Sequence, residues 1–207
     1  SNVLIGSNVT VKRDVKIWPQ KTVDANSVVT KSLIWEERWK DSLFTDSRIT
    51  GLSNIEITPE FGAKLGMAYG VFAGLESRIL VSRDIDNVSL MIKGAITSGL
   101  LSSGVTVMDY QTMPIPILRQ ELGKGSGTGG VFVRKSPFDS SRCDIIFFDS
   151  NGKDLSSAKI KSIERLVISN DARPTPFDKI GSITYAERTY ETYKERFLAN
   201  IDKETIN

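Results

Sequence analysis

Aliphatic side chains recur at Ile5, Val11, Ile17, Val23 and Val29, five positions spaced by six without a slip. That period matches neither the α-helix, which repeats its face about every 3.6 residues, nor the strand, which repeats about every 2. It suits a left-handed parallel β-helix, in which three hexads wind one triangular coil and the aliphatic residue points inward from each flat side. Gly6, Asn8, Asp14, Asp24 and Asn26 fall between as turn formers. Five hexads make fewer than two coils, and each coil buries its apolar face only against the next. Further coils, or a neighbouring chain in a homo-oligomer, are therefore expected to cover Val3 and Ile5. An alternating hairpin over 3–33 is the competing reading, and the unbroken period argues against it.

The chain has 27 Lys and Arg against 25 Asp and Glu, with no run of five like charges. Neither a nucleic-acid partner nor a membrane surface is expected. One cysteine, Cys143, allows no internal disulfide, and no apolar run approaches the roughly 18 residues of a membrane span. A cytoplasmic setting is expected. No signal peptide precedes the repeat, and without an initiator Met the natural start is expected upstream of Ser1. Histidine is absent, which removes the commonest general base near neutral pH, the commonest metal ligand and every Ser-His or Cys-His dyad. No EF-hand-like carboxylate cluster is present, so no metal site is expected within the chain.

Beyond a charged and aromatic hinge at 35–44 the pattern changes. Thr58 as N-cap, Pro59 at the first position and Glu60 beside the positive helix end predict a helix running to about Ala73, stopped at Gly74. Strands are expected at 79–82, 105–109, 130–133 and 145–149. Between and after them, helices are expected at 87–103, 115–122 and 156–168. These make a three-layer α/β domain with a mixed sheet, preceded by the short left-handed β-helix. Domain organisation reads as 1–34 repeat, 35–43 linker, 44–170 α/β domain, and 171–207 a linker and long amphipathic helix, 183–201, leading to a missing second domain. Tyr185, Tyr190, Tyr193, Phe197 and Ile201 line one side of that helix.

Several stretches together resemble the first domain of the α-D-phosphohexomutases, the phosphomannomutase and phosphoglucomutase superfamily, over about 44–207. Residues 79–89 resemble the family's strand and Gly-Arg-Asp turn, with Arg83 and Asp84 retained. "MIKGAITSGLLSSGVTVMD" (91–109) resembles the next helix and strand, and Met113-Pro114-Ile115-Pro116 its V-P-T-P turn. Residues 130–152 align without gaps on the serine loop and the F-F-D-S-x-G strand, here Phe147, Phe148, Asp149, Ser150 and Gly152. The repeat resembles hexapeptide tails of sugar-nucleotide pyrophosphorylases. Tail and domain in this order look like fused mannose-1-phosphate guanylyltransferase/phosphomannomutase proteins.

The resemblance implies an active-site phosphoserine that donates its phosphoryl group to a sugar phosphate, with Mg²⁺ in the full-length parent and a sugar phosphate or nucleotide sugar as partner. The family loop T-A-S-H-N-P falls on Arg134, Lys135, Ser136, Pro137, Phe138 and Asp139, where the serine alone survives. The family's acid/base lysine falls on Ile146, and the arginine of F-G-T-x-G-I-R-G on Thr50. Both proton-transfer positions are empty. The domain is expected to be degenerate, structural or regulatory, with Ser136 either a phosphoacceptor position or a plain loop serine. Arg83, Arg134 and Lys135 are the candidate substrate-binding cations, able to substitute for the lost groups or simply solvated. The alternative is a genuine mutase domain transferring phosphate through Ser136. "GKGSGTGG" (123–130) lacks P-loop spacing and reads as a flexible connection.

Overall fold

The computed structural model describes residues 3–13, 15–17, 22–29, 43–187 and 189–199. They fall into two compact units, 1–43 and 44–207. The first unit holds β1 (Leu4–Ile5), β2 (Thr10–Val11), β3 (Thr22–Val23) and β4 (Val28–Val29). β1 pairs in parallel with β3, Leu4 opposite Thr22, and β2 with β4, Val11 opposite Val29. The offset is 18 residues in both pairs, and it recurs in the turns. Asn8 and Asn26 both adopt left-handed backbone angles, φ 58° and 63°, and Nδ2 of Asn8 donates to Oδ1 of Asn26 at 3.3 Å. Asparagine tolerates that region better than most side chains, so one turn stacks on the other. Of the five aliphatic positions, Val23 and Val29 are buried and Ile17 half-buried, but Ile5 and Val11 are 54% and 41% exposed. No described strand lies beyond them. Leu33 and most of the expected linker lie outside the described residues.

The second unit runs β5 (Arg48–Leu52), α1 (Pro59–Ala73), β6 (Arg78–Arg83), α2 (Asn87–Ser102), β7 (Thr106–Thr112), α3 (Ile115–Gly123), β8 (Gly129–Lys135), β9 (Arg142–Asp149), α4 (Ser157–Ser169), β10 (Ile183–Tyr185) and α5 (Thr189–Ala199). Its sheet is ordered β10-β7-β6-β8-β9-β5, the first four strands parallel and the last two antiparallel to their neighbours. α1 and α2 cover the face that carries Val81 and Phe147: Lys93 of α2 bonds Asp109, which is opposite Val81, and Tyr69 of α1 meets the Phe147 ring edge-on at 5.0 Å. α4 lies beside α1. On the other face, Leu118 and Leu122 of α3 close a cluster with Leu80, Tyr110, Phe132, Ile146 and Phe148. This makes three layers, helices on both sides of a mixed sheet.

Local chemistry explains the elements. Thr58 Oγ1 accepts the Phe61 N–H at 3.2 Å, and Gly74 ends α1 at φ 92°, open to glycine at little cost. α1 and α2 touch backbone to backbone: a Cβ on Gly66 would lie 2.2 Å from the Ile96 carbonyl oxygen, and one on Gly99 2.1 Å from that of Ala63.

Three expectations are corrected. Residues 183–185 form an edge strand parallel to β7 instead of opening a long helix, which starts at Thr189. Ile, Thr and Tyr favour extended backbone, and the open edge of β7 supplies the partner. The segment before this strand, read as a linker, is pinned, with Thr175 N bonded to Ser102 O and Gly181 N to Leu101 O, and Ala186 N, expected in the helix, bonds Asp109 O. Phe44, read as part of a hinge, is buried 5.3 Å from Phe147, and β5, unassigned from sequence, pairs along β9.

Candidate functional site

Ser136 follows β8 directly, and its N–H donates to the Arg142 carbonyl, the last rung of the β8–β9 hairpin. The residue is buried. The loop beyond it is closed by Asp139, whose Oδ1 accepts from the Ser141 hydroxyl (2.6 Å) and N–H (2.9 Å), while Oδ2 accepts from Arg142 Nε (3.2 Å). Those bonds, the Ser141 hydroxyl first, hold the Asp139 carboxyl below its usual range. Phe138, between Ser136 and Asp139, is 87% exposed.

Strand alternation separates the three candidate cations. Arg134 shares the α3 face with Phe132, whereas Lys135 shares the α2 face with Val133, and Arg83 stands opposite Val133 on that same face. Arg134 is therefore the one candidate cation on the face of the core cluster below Ser136. Lys135 Nζ meets Asp86 Oδ2 at 3.2 Å, and its N–H donates to Asp84 Oδ2 at 2.8 Å. Asp86 also caps α2 by accepting the Val88 N–H at 2.9 Å, a bond that leads in drawing its carboxyl down, with Lys135 second. Arg83 donates from Nη1 to the Asp84 carbonyl at 2.6 Å, and its Nε is buried with no partner among the described residues.

The two positions that the sequence marks as empty are filled in different ways. Ile146 sits opposite Phe132 inside the cluster with Leu118 and Phe148, a place where an ammonium would lose its water. Thr50 faces Asp144 across β5 and β9, and Arg134 faces the same Asp144 across β8 and β9. The Thr50 hydroxyl donates to Asp144 Oδ1 at 2.8 Å and Arg134 Nε to Oδ2 at 3.1 Å. Three adjacent strands thus tie a hydroxyl, a carboxylate and a guanidinium into one cross-sheet set. Asp144 was not singled out from sequence, although Arg134 and Asp144 stand symmetrically about Asp139, the signature of a charge pair across a hairpin.

Asp84, Asp86 and Asp144 are each held by donors, and among the described residues no three His, Cys, Asp or Glu gather in a set that could hold a metal ion. The described residues offer no such ligand set for the Mg²⁺ that the resemblance implies. Cys143 is buried, and burial first, then the charges of Asp144, Asp84 and Asp86, push its thiol up to about 12. No helix among the described residues is long and apolar enough to cross a membrane.

Residues 41–174 match the family model for phosphoglucomutase/phosphomannomutase, alpha/beta/alpha domain I. The chain is 31% identical over 168 residues to a phosphoglucomutase/phosphomannomutase of Thermococcus kodakarensis, covering 79% of this chain and 37% of that protein. It is 30% identical over 165 residues to a phosphoglucosamine/phosphogalactosamine mutase of Sulfurisphaera tokodaii, covering 79% of this chain and 36% of that one. The crystal structure of a phosphoglucomutase/phosphomannomutase family protein from Burkholderia thailandensis superposes with a TM-score of 0.65 at 18% identity, covering 77% of this chain and 36% of its own. The chain spans about a third of the length of the curated relatives it matches. With its family model matched over 41–174, this chain belongs to the phosphoglucomutase/phosphomannomutase family.

Proposed function

We propose that this chain is the first domain of a larger protein of sugar-phosphate metabolism, and that its serine loop no longer transfers phosphate, so that it serves assembly or regulation. The observation that carries this reading is the cross-sheet set of Thr50, Asp144 and Arg134. Arg134 is already paired with Asp144, and the position of the family's acid/base lysine is a core isoleucine. Phosphoryl transfer needs charge neutralisation around the moving group and a proton acceptor for the sugar hydroxyl. At the family positions, Thr50 and Ile146 offer no proton acceptor of that kind, and Arg134 is committed to Asp144.

A second reading, transfer through Ser136 in the full-length protein, is favoured by the mutase names of the relatives, and the comparisons speak more for it than for a silent loop. One assay separates the two. Protein carrying its remaining domains is incubated with Mg²⁺, a hexose 1-phosphate and the matching bisphosphate. The silent reading expects no 6-phosphate product and no phosphate on Ser136 by mass spectrometry. Product that Ser136→Ala abolishes would establish the mutase instead.

The eighteen-residue parallel offset and the Asn8–Asn26 pair support a left-handed β-helix of the hexapeptide-repeat kind over 3–33. We infer that this unit joins the domain to a nucleotidyltransferase, as in guanylyltransferase fusions, in a cytoplasmic homo-oligomer. The exposed Leu4, Ile5 and Val11 support the last point. Monomers by light scattering would contradict it.

A further inference from the structure

Of the chain's asparagines, Asn151 alone precedes a glycine. That pair is chemically the least durable in the sequence: with no Cβ on Gly152, nothing hinders its backbone nitrogen from closing on the asparagine side chain. Asn151 is exposed and Gly152 buried, in the turn that follows β9. Asp149 ties this turn together. Its carbonyl accepts the Gly152 N–H at 3.0 Å, and its own N–H donates to the Lys153 carbonyl at 2.8 Å. Its Oδ1 accepts the N–H groups of Asn151 at 2.8 Å and Lys153 at 2.9 Å. Gly152 turns at φ 73° and rests on α3: a Cβ there would lie 2.3 Å from the Arg119 carbonyl oxygen, and Arg119 Nη1 donates to the Gly152 carbonyl at 3.1 Å. The same guanidinium pairs with Asp154 at 2.6 Å and lies 4.5 Å over the Phe148 ring.

We propose that Asn151–Gly152 is a self-modification site: Asn151 converts spontaneously to aspartate or isoaspartate, and the bonded turn at 149–153 is the gate that sets the rate. The Gly152 nitrogen gives up its proton and attacks Cγ of Asn151, and the side-chain nitrogen leaves with that proton as ammonia, closing a cyclic imide. Water then adds to one imide carbonyl and breaks its bond to the Gly152 nitrogen, which takes a proton back. Opening at the side-chain carbonyl yields aspartate, and opening at the main-chain carbonyl yields isoaspartate. Water is the only co-reactant, and nothing is oxidised or reduced. The imide nitrogen carries no hydrogen, so the bond from Gly152 to the Asp149 carbonyl must break before the ring closes. The reacting form is therefore a locally opened turn. In the isoaspartyl product the main chain runs through the side-chain carbon, a methylene longer between Asn151 and Gly152, with a new carboxylate close to Asp149. The Gly152 carbonyl is then displaced from Arg119, and the tie between α3 and the β9–α4 turn is lost for good.

The test ages the 207-residue chain in mildly alkaline buffer and follows, by peptide mass and isoaspartate content, the conversion at Asn151. The native chain is expected to convert at least about tenfold more slowly than the same chain in urea, since closing the ring in the fold costs hydrogen bonds that the unfolded chain lacks. Arg119→Met, which removes the α3 tie and leaves every turn residue in place, should convert faster than native protein while still folded. Asn151→Ser should not react under any condition. Equal rates in native protein and in urea overturn the gate, and so does a folded Arg119→Met no faster than wild type. An Asn151 that survives in urea overturns the site itself. Should Arg119→Met not fold, the comparison of native with urea decides. Chain carrying isoaspartate at 151, once refolded, should melt below Asn151→Asp, which adds the charge without the methylene; equal midpoints overturn the coupling to Arg119.

Discussion

Thr50 and Arg134 share one carboxylate from opposite sides: Asp144 takes the threonine hydroxyl on Oδ1 and the arginine Nε on Oδ2, each across a neighbouring strand. Removing either donor leaves a buried charge short of a partner. Arg134→Met should lower stability by about 1–3 kcal/mol and Thr50→Val by about 1 kcal/mol, measured by urea unfolding. A wild-type midpoint for Arg134→Met would show that the pair is not structural.

Ile146 is where the family's lysine would stand. Placing an ammonium opposite Phe132 and against Leu118 should make Ile146→Lys about 3 kcal/mol less stable, with no gain of transferase activity in the full-length protein. An unchanged melting curve would mean that the side chain escapes to water.

Two glycines of α2 give opposite forecasts. A Cβ on Gly94 meets nothing within 4 Å, so Gly94→Ala should stabilise by about 0.5–1 kcal/mol through helix propensity. A Cβ on Gly99 would lie 2.1 Å from the Ala63 carbonyl oxygen, and Gly99→Ala should cost about 1–3 kcal/mol as α1 is pushed away. Thermal melts of the two side by side decide it, and equal shifts would refute the close helix contact.

Lys93 and Asp109 form a buried pair in which Nζ lies 2.6 Å from both carboxylate oxygens, and Asp109 also accepts the Gln111 N–H. Lys93→Met alone should cost about 3 kcal/mol, whereas Lys93→Met with Asp109→Leu should cost less than the two single changes together. Strict additivity would argue that the two charges do not interact.

The Cys143 thiol should resist alkylation at pH 8 in the folded protein and react on unfolding. Its folded value, up to about 12, lies above the ordinary 9.0, so the neutral thiol is favoured in the native state. The associated stability is full below 9.0 and is lost as pH rises toward about 12. Rapid labelling of native protein, read by mass, would contradict the burial.

What the sequence reveals follows the range of the forces involved. The start of α1 is legible because Thr58, Pro59 and Glu60 act within one turn. The strands at 130–133 and 145–149 are legible because each is a short apolar run, the second closed by the turn at Ser150-Asn151-Gly152. β10 is not, since Ile183–Tyr185 finds its partner only at Val107–Asp109, and the aromatic spacing that follows reads as helix. Of the candidate site, Ser136 and the vacated Thr50 and Ile146 positions are visible from the resemblance. That Arg134 and Lys135 lie on opposite faces, one bound to Asp144 and the other to Asp86, depends on strand parity and register.

The eighteen-residue register of the N-terminal pairs makes chain length there a quantised property. Losing a single residue between Val11 and Thr22 would shift both pairs out of register and part Asn8 from Asn26, whereas gain or loss of eighteen would preserve the pairing. Related proteins should therefore differ in this segment by eighteen residues more readily than by one or two.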